Sequence, residues 1–304
     1  MTNNLIENAA SIEMFAPEWG IRSWLRLQQE SAPLDLPEAN GTTGAMTGLT
    51  ISNDDFRKAI ISEFSFKAIS ELYAAKVLLQ LAAIAPSNDQ FEYLITHIVD
   101  EVKHANMFRQ HLIDIGYATN EDIDQKLIDE NQDSITQVIE PLKQYFEKYV
   151  VERRDFICGI AIITIVLEGI LAPSAELGEI KWRHFDPLAS KAQGIGNQDE
   201  VKHLAVCSGT VKEAVLQDAS AKNRVLACVE EGMALWKSTP IQAVILQREK
   251  WFQMGMAANL DLIKGYALTP GLLLSESTPE SRLALSQEWN STLSKARMVY
   301  MGLY

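Results

Sequence analysis

Apolar residues recur every three or four positions along most of the chain beyond residue 50, which is the spacing of a helix face buried on one side. In "ISNDDF", Ser52 or Asn53 can cap the start of a first long helix, and Pro86 should stop it. "SNDQ" then forms a capping box with Ser87 as the cap. The second helix can run from there to Gly116, a suitable terminating residue.

The helical pattern continues to the C-terminus. A long helical stretch is predicted from about residue 135 to 172, with a kink at Pro141 and an end near Pro173. Another helix should cover about 188–216, and two or three more should complete the chain. Alternating apolar and polar positions, the pattern of a strand, are not evident. The sequence therefore predicts an all-α protein.

The domain organisation follows from where this pattern begins. Residues 1–50 contain "SAPLDLPEANGTTGAMTG", which is a poor helix and predicts an irregular N-terminal arm. Residues 51–304 should form a single helical domain, with a core bundle over about 53–217 and extra helices over about 218–304.

Composition and charge narrow the class of protein. The chain has 304 residues, 47% of them hydrophobic, and a net charge of -13; the acidity disfavours nucleic acid or an anionic membrane as a partner. The most apolar run, "GIAIITIVLEGILAP", is too short to span a bilayer and contains Glu168. No signal-peptide pattern is evident, and the three cysteines form no CxxC motif. We therefore expect a cytoplasmic location.

The pentapeptide "DEVKH" occurs twice, at Asp100 to His104 and at Asp199 to His203. The Glu and the His of each copy are three residues apart, so on a helix they share one face. That face also carries apolar residues such as Leu94 and Phe108 in the first copy. An ionised carboxylate that faces a core is costly unless it is paired, protonated or bound to a metal.

Two further acids fall on apolar helix faces. Glu168 lies within "IITIVLEGILA", where no polar face is available, and Glu71 lies on an apolar stripe of the first helix. Counted from the Pro86 turn, Glu71 and Glu101 are at similar heights in an antiparallel hairpin. Glu63, the alternative to Glu71, would be about two turns too far from that level.

Two of the predicted helices thus contribute one Glu each, and the other two contribute one Glu-x-x-His motif each. This combination is typical of a di-metal carboxylate site in a four-helix bundle. An oxygen-rich set with one imidazole per metal suits iron or manganese better than zinc. A single Glu-x-x-His is common on protein surfaces, and the duplication with two buried glutamates is what favours a metal site. The predicted ligands are Glu71, Glu101, His104, Glu168, Glu200 and His203.

These residues resemble those of the ferritin-like di-iron oxygenases and of the small subunit of ribonucleotide reductase. The resemblance covers roughly residues 55–215 and implies a ferritin-like four-helix bundle with additional C-terminal helices. It also implies that Asp100 and Asp199, which precede the ligating glutamates, accept hydrogen bonds from the histidine of the opposite motif. Phe108 stands where the reductase subunit has its radical-bearing tyrosine, so a tyrosyl-radical function is not expected.

Overall size and motif spacing resemble those of the natural-product amine N-oxygenases of this superfamily. The aminobenzoate N-oxygenases have an additional histidine ligand four residues before the last glutamate, where this chain has Gly196. A three-histidine site is therefore not carried over from them. His97 and His111 lie seven residues on either side of His104; they could face inward, but we expect ordinary hydrogen-bonded or partly exposed histidines.

The resemblance implies two iron ions, with manganese as an alternative, and dioxygen as the oxidant. The expected reaction is oxidation of a small metabolite, with N-oxygenation of an amine or amino-acid-derived substrate favoured. A C-hydroxylase, an oxidase or desaturase that acts on a carrier-bound substrate, and a non-catalytic metal-binding or iron-storage protein are the alternatives. An external electron donor is expected, and the protein could be a homodimer.

Overall fold

The computed structural model describes residues 9–30 and 48–304, and most of these residues are helical. The prediction of an all-α protein is therefore confirmed. In chain order the helices are α1 (Ile21–Glu30), α2 (Gly48–Ser52), α3 (Asp54–Ala82), α4 (Asn88–Asp114), α5 (Ile123–Ser134), α6 (Glu140–Glu147), α7 (Phe156–Ala161), α8 (Glu168–Trp182), α9 (Pro187–Gln217), α10 (Ala219–Ser238), α11 (Ile241–Ala257) and α12 (Pro279–Tyr300).

Side-chain caps mark the starts of α3 and α4, which together form a helical hairpin. The Asn53 side chain accepts hydrogen bonds from the backbone N–H groups of Asp55 and Phe56, both at 3.0 Å. Ser87 begins α4 by accepting the backbone N–H of Gln90 at 3.2 Å. These caps satisfy N–H groups that have no partner within the first helical turn. The short connection places α3 antiparallel to α4, and the two helices pack along their length.

The stretch predicted as one helix over about 135–172 contains three π-helical turns and one break. Wider π-helical turns occupy Ile135–Ile139, Lys148–Glu152 and Ile162–Leu167. After the second of these turns the chain leaves the helix at Arg154, which adopts a φ of 53°. Asp155 then caps α7 by accepting the Cys158 N–H at 3.1 Å. Pro141 is the second residue of α6, and the helix continues through it from the π-helical turn that ends at Ile139.

Helix α8 passes through Pro173 and ends only at Trp182, so the prediction of a helix end near Pro173 was wrong. A proline inside a helix deprives the carbonyl four residues earlier of its N–H partner. That carbonyl belongs to Gly169, and the side-chain amide of Asn290 from α12 donates to it at 3.1 Å. A tertiary contact therefore replaces the lost backbone hydrogen bond.

Helices α10 to α12 pack against the earlier helices and share one apolar core with them. Helix α11 lies on α3, and α12 lies on α8 and α11. The boundary predicted near residue 217 falls at Asp218, whose side chain caps α10 by accepting the Ser220 N–H at 2.8 Å. A small antiparallel hairpin, β1 (Ala267–Thr269) with β2 (Leu272–Leu273), is the only strand pairing within residues 9–30 and 48–304. The sequence pattern did not reveal this hairpin.

The N-terminal arm is described only in part. Most of "SAPLDLPEANGTTGAMTG" lies outside the described residues. Helix α1 lies within the segment that was expected to be irregular. Its Trp24 donates an indole N–H to a carboxylate oxygen of Asp100 at 2.9 Å, so this part of the arm is anchored at the first "DEVKH" motif.

The most apolar part of the chain runs without interruption through the helical turns from Phe156 to Trp182. This 27-residue stretch is long and apolar enough to cross a membrane, but 78% of its most apolar window is buried inside the protein. Such burial is typical of the core helix of a soluble protein.

Candidate metal centre

Helices α3, α4, α8 and α9 each direct acidic side chains toward one buried region. Glu71 comes from the middle of α3, and the two "DEVKH" motifs lie in α4 and α9. Glu168 is the first residue of α8, directly after the π-helical turn Ile162–Leu167. Glu63 is not part of this region, because it pairs with Lys181 and Trp182 elsewhere in the core.

The donor atoms form two groups that share one glutamate. In the first group, one donor atom from each residue lies within 4.8 Å of all the others. In the second group the same limit holds, and Glu101 belongs to both. The sixth predicted ligand, Glu200, belongs to neither group, but one of its carboxylate oxygens lies 4.0 Å from Nδ1 of His203. The first group comprises His97, Glu101, Glu168 and His203, and the second comprises Glu71, Glu101 and His104.

The two histidines of the repeated motif are held by the aspartate of the opposite copy. Nε2 of His104 lies 3.1 Å from Asp199, and Nε2 of His203 lies 3.4 Å from Asp100. The opposite nitrogen, Nδ1, faces the glutamates: it is 3.6 Å from Glu101 in His104 and 3.4 Å from Glu101 in His203. Each ring therefore directs one nitrogen to a carboxylate that fixes its orientation and the other to the cluster.

The lysines of the repeat make a matching set of contacts that the sequence did not predict. Nζ of Lys202 lies 2.5 Å from Asp100, and Nζ of Lys103 lies 2.6 Å from Asp199. Together with the histidine contacts, these ion pairs join α4 and α9 in both directions. The Asp, Lys and His of "DEVKH" thus make equivalent contacts in the two copies, whereas Glu101 contacts both histidines and Glu200 contacts only His203.

The cluster brings several carboxylates close together in a buried region, and this shifts their pKa values. Burial and the neighbouring Glu101 raise the pKa of Glu71 well above its ordinary value. Burial and the neighbouring Glu168 and Glu101 do the same to the pKa of Glu200. Burial alone would raise the pKa of Glu101, but hydrogen bonds from His104 and His97 hold it well below its ordinary value. Positive charge at the centre would stabilise all these carboxylates in ionised form.

Several donor atoms of the cluster lack a hydrogen-bond partner although they are fully buried. Within the part of the chain that the structure describes, they are Oε1 of Glu101, Oε2 of Glu168, Oε2 of Glu200 and Nδ1 of His203. Buried polar atoms are normally paired, so an unpaired set that converges on one point requires an explanation. Glutamate oxygens and imidazole nitrogens are the donors that iron and manganese bind. The residues present therefore fit a pair of such metal ions.

His97 is a member of the cluster that was expected to be an ordinary histidine. Its Nε2 lies 2.6 Å from Glu168 and 3.0 Å from Glu101, and its ring stacks on His203 with centroids 3.6 Å apart. The other ring nitrogen of His97, Nδ1, lies 3.5 Å from the hydroxyl of Tyr93. His97 stands four residues before Glu101, so helical spacing already placed it on the ligand face.

The remaining residues considered in the sequence have ordinary surroundings. His111 pairs with Asp186 at 3.0 Å and lies outside the cluster. Phe108 packs on Phe64 with ring centroids 4.8 Å apart. Gly196 has no neighbouring atom from residues 9–30 or 48–304 within 4 Å of the position that a Cβ would occupy there.

A cavity of about 70 Å³ adjoins the cluster. Five of the predicted ligands form one wall, and other residues of α3, α4, α8, α9 and α11 complete the lining. Most of the lining is apolar, with Phe66, Phe108 and Leu171 among the larger contributors. The cluster is thus accessible from a protected space that could hold a small molecule.

A comparison with protein-family models found no match to this chain, and a comparison with curated proteins found no significant relative. The case for a metal centre therefore rests on the residues and their geometry.

Proposed function

We propose that this protein is a non-haem di-iron enzyme that uses dioxygen to oxidise a small metabolite. In this proposal α3, α4, α8 and α9 form a ferritin-like four-helix bundle around the metals. Helices α10 to α12 are additions that close the bundle from outside. Manganese in one or both positions is the alternative metal content.

The observation that carries the proposal is the convergence of four glutamates, three of them buried, with two histidines that are oriented by aspartates. Glu101 belongs to both groups of donors, so it would help to hold both ions. Glu71 and His104 would complete one position. His203, Glu168 and Glu200 would complete the other, with His97 as a further ligand.

The protein residues have three tasks in this mechanism. Asp100 and Asp199 hold the imidazole N–H groups so that the Nδ1 lone pairs face the metals. The glutamates balance the charge of the ions, and the apolar cavity wall excludes water from the reacting substrate. When bound, two ferrous ions supply the electrons and the coordination positions needed to activate dioxygen.

The favoured reaction is N-oxygenation of an amine. One oxygen atom enters the substrate and forms an N–O bond, while the other leaves as water. This balance requires two electrons, which come from an external reductant, and two protons, which come from the solvent. The preference for nitrogen over carbon comes from the resemblance to the amine N-oxygenases, and a cytoplasmic location accompanies the same proposal.

Metal analysis provides the first test. Protein purified from iron-fed cells should contain two metal ions per chain, and addition of oxygen to the reduced protein should change its optical spectrum. The variant His203→Ala should lose at least one ion. Full metal occupancy in that variant would show that the ligand set is wrong, and His184→Ala, at a histidine that packs on Tyr266, provides the control.

A further inference from the structure

A network of buried charged side chains lies between α3, α8, α11 and α12, next to the proposed metal centre. Lys181 joins the two acids of this network, at 3.0 Å from Glu63 and 2.5 Å from Glu249. Arg282 contacts Glu249 at 2.5 Å, and Lys67 lies 3.7 Å from Glu63. Arg248 is also buried and within electrostatic reach of both acids.

The charges of this network do not balance. Glu63 and Glu249 contribute two negative charges, whereas Lys67, Lys181, Arg248 and Arg282 contribute four positive charges. Uncompensated buried charge is costly. The four cluster glutamates do not provide the missing charge in the proposed holoprotein, because two divalent ions would neutralise them.

The surplus positive charge lies on the cavity side of the network. Lys67 and Arg248 both line the cavity beside the metal cluster, whereas Lys181 and Arg282 do not. Lys67 also donates to the side-chain carbonyl of Gln193, another residue of the cavity wall.

Two polar donors of this wall have no hydrogen-bond partner among residues 9–30 and 48–304. They are Nε of Arg248 and Nε2 of Gln193, and both residues are more than nine-tenths buried. The Arg248 side chain is otherwise held by Nη2, which donates to the Ser62 carbonyl at 3.0 Å. The wall therefore offers two cations and two free N–H donors to whatever occupies the cavity.

We propose that Lys67, Arg248 and Gln193 form a binding site for the carboxylate of the substrate. The apolar part of the substrate would pack on Phe66 and Phe108 and extend toward the metal cluster. Since this assignment names the substrate class of the proposed enzyme, it rests on the proposed function. For an amine substrate it implies an amino acid or a related amino-carboxylate, with its carboxylate held at one end of the cavity and its nitrogen directed to the metals.

Benzoate and benzamide, which are nearly identical in shape but differ in charge, test this site. Their affinities would be measured by calorimetry on the metal-loaded protein and again after chelation. We expect benzoate to bind about tenfold or more tightly than benzamide, and Arg248→Gln to remove most of that difference, as expected for hydrogen bonds to charged groups. Arg248→Lys should retain part of the preference, and Lys67→Met should reduce it independently.

Arg297→Gln is the matched control, since Arg297 is a buried arginine that contacts Ser208 and the Ala9 carbonyl on another side of α9. It should leave the preference unchanged. Equal affinities for benzoate and benzamide would overturn the carboxylate site. The site would also be overturned if chelation of the metals abolished benzoate binding and Arg248→Gln had no effect on it. In both cases the metal content would be unaffected, so the di-iron proposal would stand. Conversely, benzoate binding that depends on Arg248 in a protein that takes up no metal would support this site and refute the di-iron proposal.

Discussion

His104 and His203 use their two ring nitrogens for different purposes. In both, Nε2 faces an aspartate and Nδ1 faces the glutamate cluster. A proton on Nε2 leaves the Nδ1 lone pair available, which is the form that binds a metal. The structure therefore supplies a physical reason why an aspartate belongs to the repeated motif.

Replacement of Asp199 by Ala should weaken metal binding without removing a ligand. The His104 ring would lose the contact that fixes its orientation, and partners of this kind are typically worth about ten- to a hundredfold in metal affinity. Competition with a metal-sensitive chelator would measure the change. Asp133→Ala, at an exposed position of α5, is the control. Equal metal affinities in the two variants would show that Asp199 acts as an ordinary solvated surface residue.

His97 provides a sharper test at the residue scale, because the sequence alone did not assign it to the site. We expect His97→Ala to weaken the binding of one metal ion about tenfold or more, while the other ion is retained. Titration with Co²⁺ would report this change through the visible absorption bands that depend on ligand number. His111→Ala should leave those bands unchanged, since His111 pairs with Asp186 away from the cluster. Identical spectra for His97→Ala and the unmodified protein would exclude a ligand role.

At the scale of helices, α4 and α9 are joined by ion pairs that run in both directions between the two motifs. Lys202→Met should destabilise the metal-free protein by about 1–3 kcal/mol, since it removes a charged partner from the buried Asp100. Urea unfolding would measure this loss. Lys58→Met removes an exposed ion pair with Asp55 and should change stability by about 0.5 kcal/mol at most. If the two variants were equally stable, these pairs would contribute nothing to joining the helices.

Local signals predicted the helix ends well where a single side chain decides them. Asn53 and Ser87 act as caps, and α9 begins and ends within one residue of the predicted bounds. The errors arose where distant residues decide. Asn290 compensates the carbonyl that Pro173 leaves free, and the indole of Trp236 donates to the Val166 carbonyl in a π-helical turn. Such compensation depends on which helices meet, which local pattern does not contain.

In the candidate site, too, local sequence patterns predicted some features, whereas tertiary packing decided others. The ligand residues could be selected because each is an acid or histidine on an apolar helix face. His97 satisfied that criterion too, but whether it faces the cluster or another polar group depends on how α4 packs against α8 and α9. The crossed contacts of Lys103 and Lys202 likewise require the antiparallel placement of two copies of one motif.

At the scale of the whole molecule, a strongly acidic chain contains a buried network with surplus positive charge. Burial raises the pKa of Glu63, but the charges of Lys181, Lys67 and Arg248 outweigh this and lower it to about 2. Because the folded-state pKa lies below the unfolded value of about 4.3, Glu63 stabilises the fold above that pH. The contribution is lost as the pH falls toward 2.

Glu63→Gln should therefore cost on the order of 3 kcal/mol at neutral pH, the equivalent of the pKa shift, and progressively less below pH about 4.3. Urea unfolding at a series of pH values would show the two stability curves converging in acid. Glu288→Gln, at an exposed position of α12, should give a curve parallel to that of the unmodified protein. A constant difference between Glu63→Gln and the unmodified protein would show that Glu63 is not ionised in the fold.

Whether nitrogen or carbon accepts the oxygen atom depends on several parts of the molecule together. These parts are the cavity, the metal centre and the buried network of charged side chains. If Lys67 and Arg248 hold a carboxylate, 4-aminobenzoate and 4-methylbenzoate present an amine and a C–H bond at the same position. A lone pair on nitrogen accepts oxygen from a weaker oxidant than an unactivated C–H bond does. We therefore expect the reduced, metal-loaded protein to incorporate one atom of ¹⁸O₂ into 4-aminobenzoate and to leave 4-methylbenzoate unchanged, as judged by mass spectrometry of the products. Hydroxylation of 4-methylbenzoate alone would assign the protein to the C-hydroxylases, and oxygen consumption without label in either product would make it an oxidase.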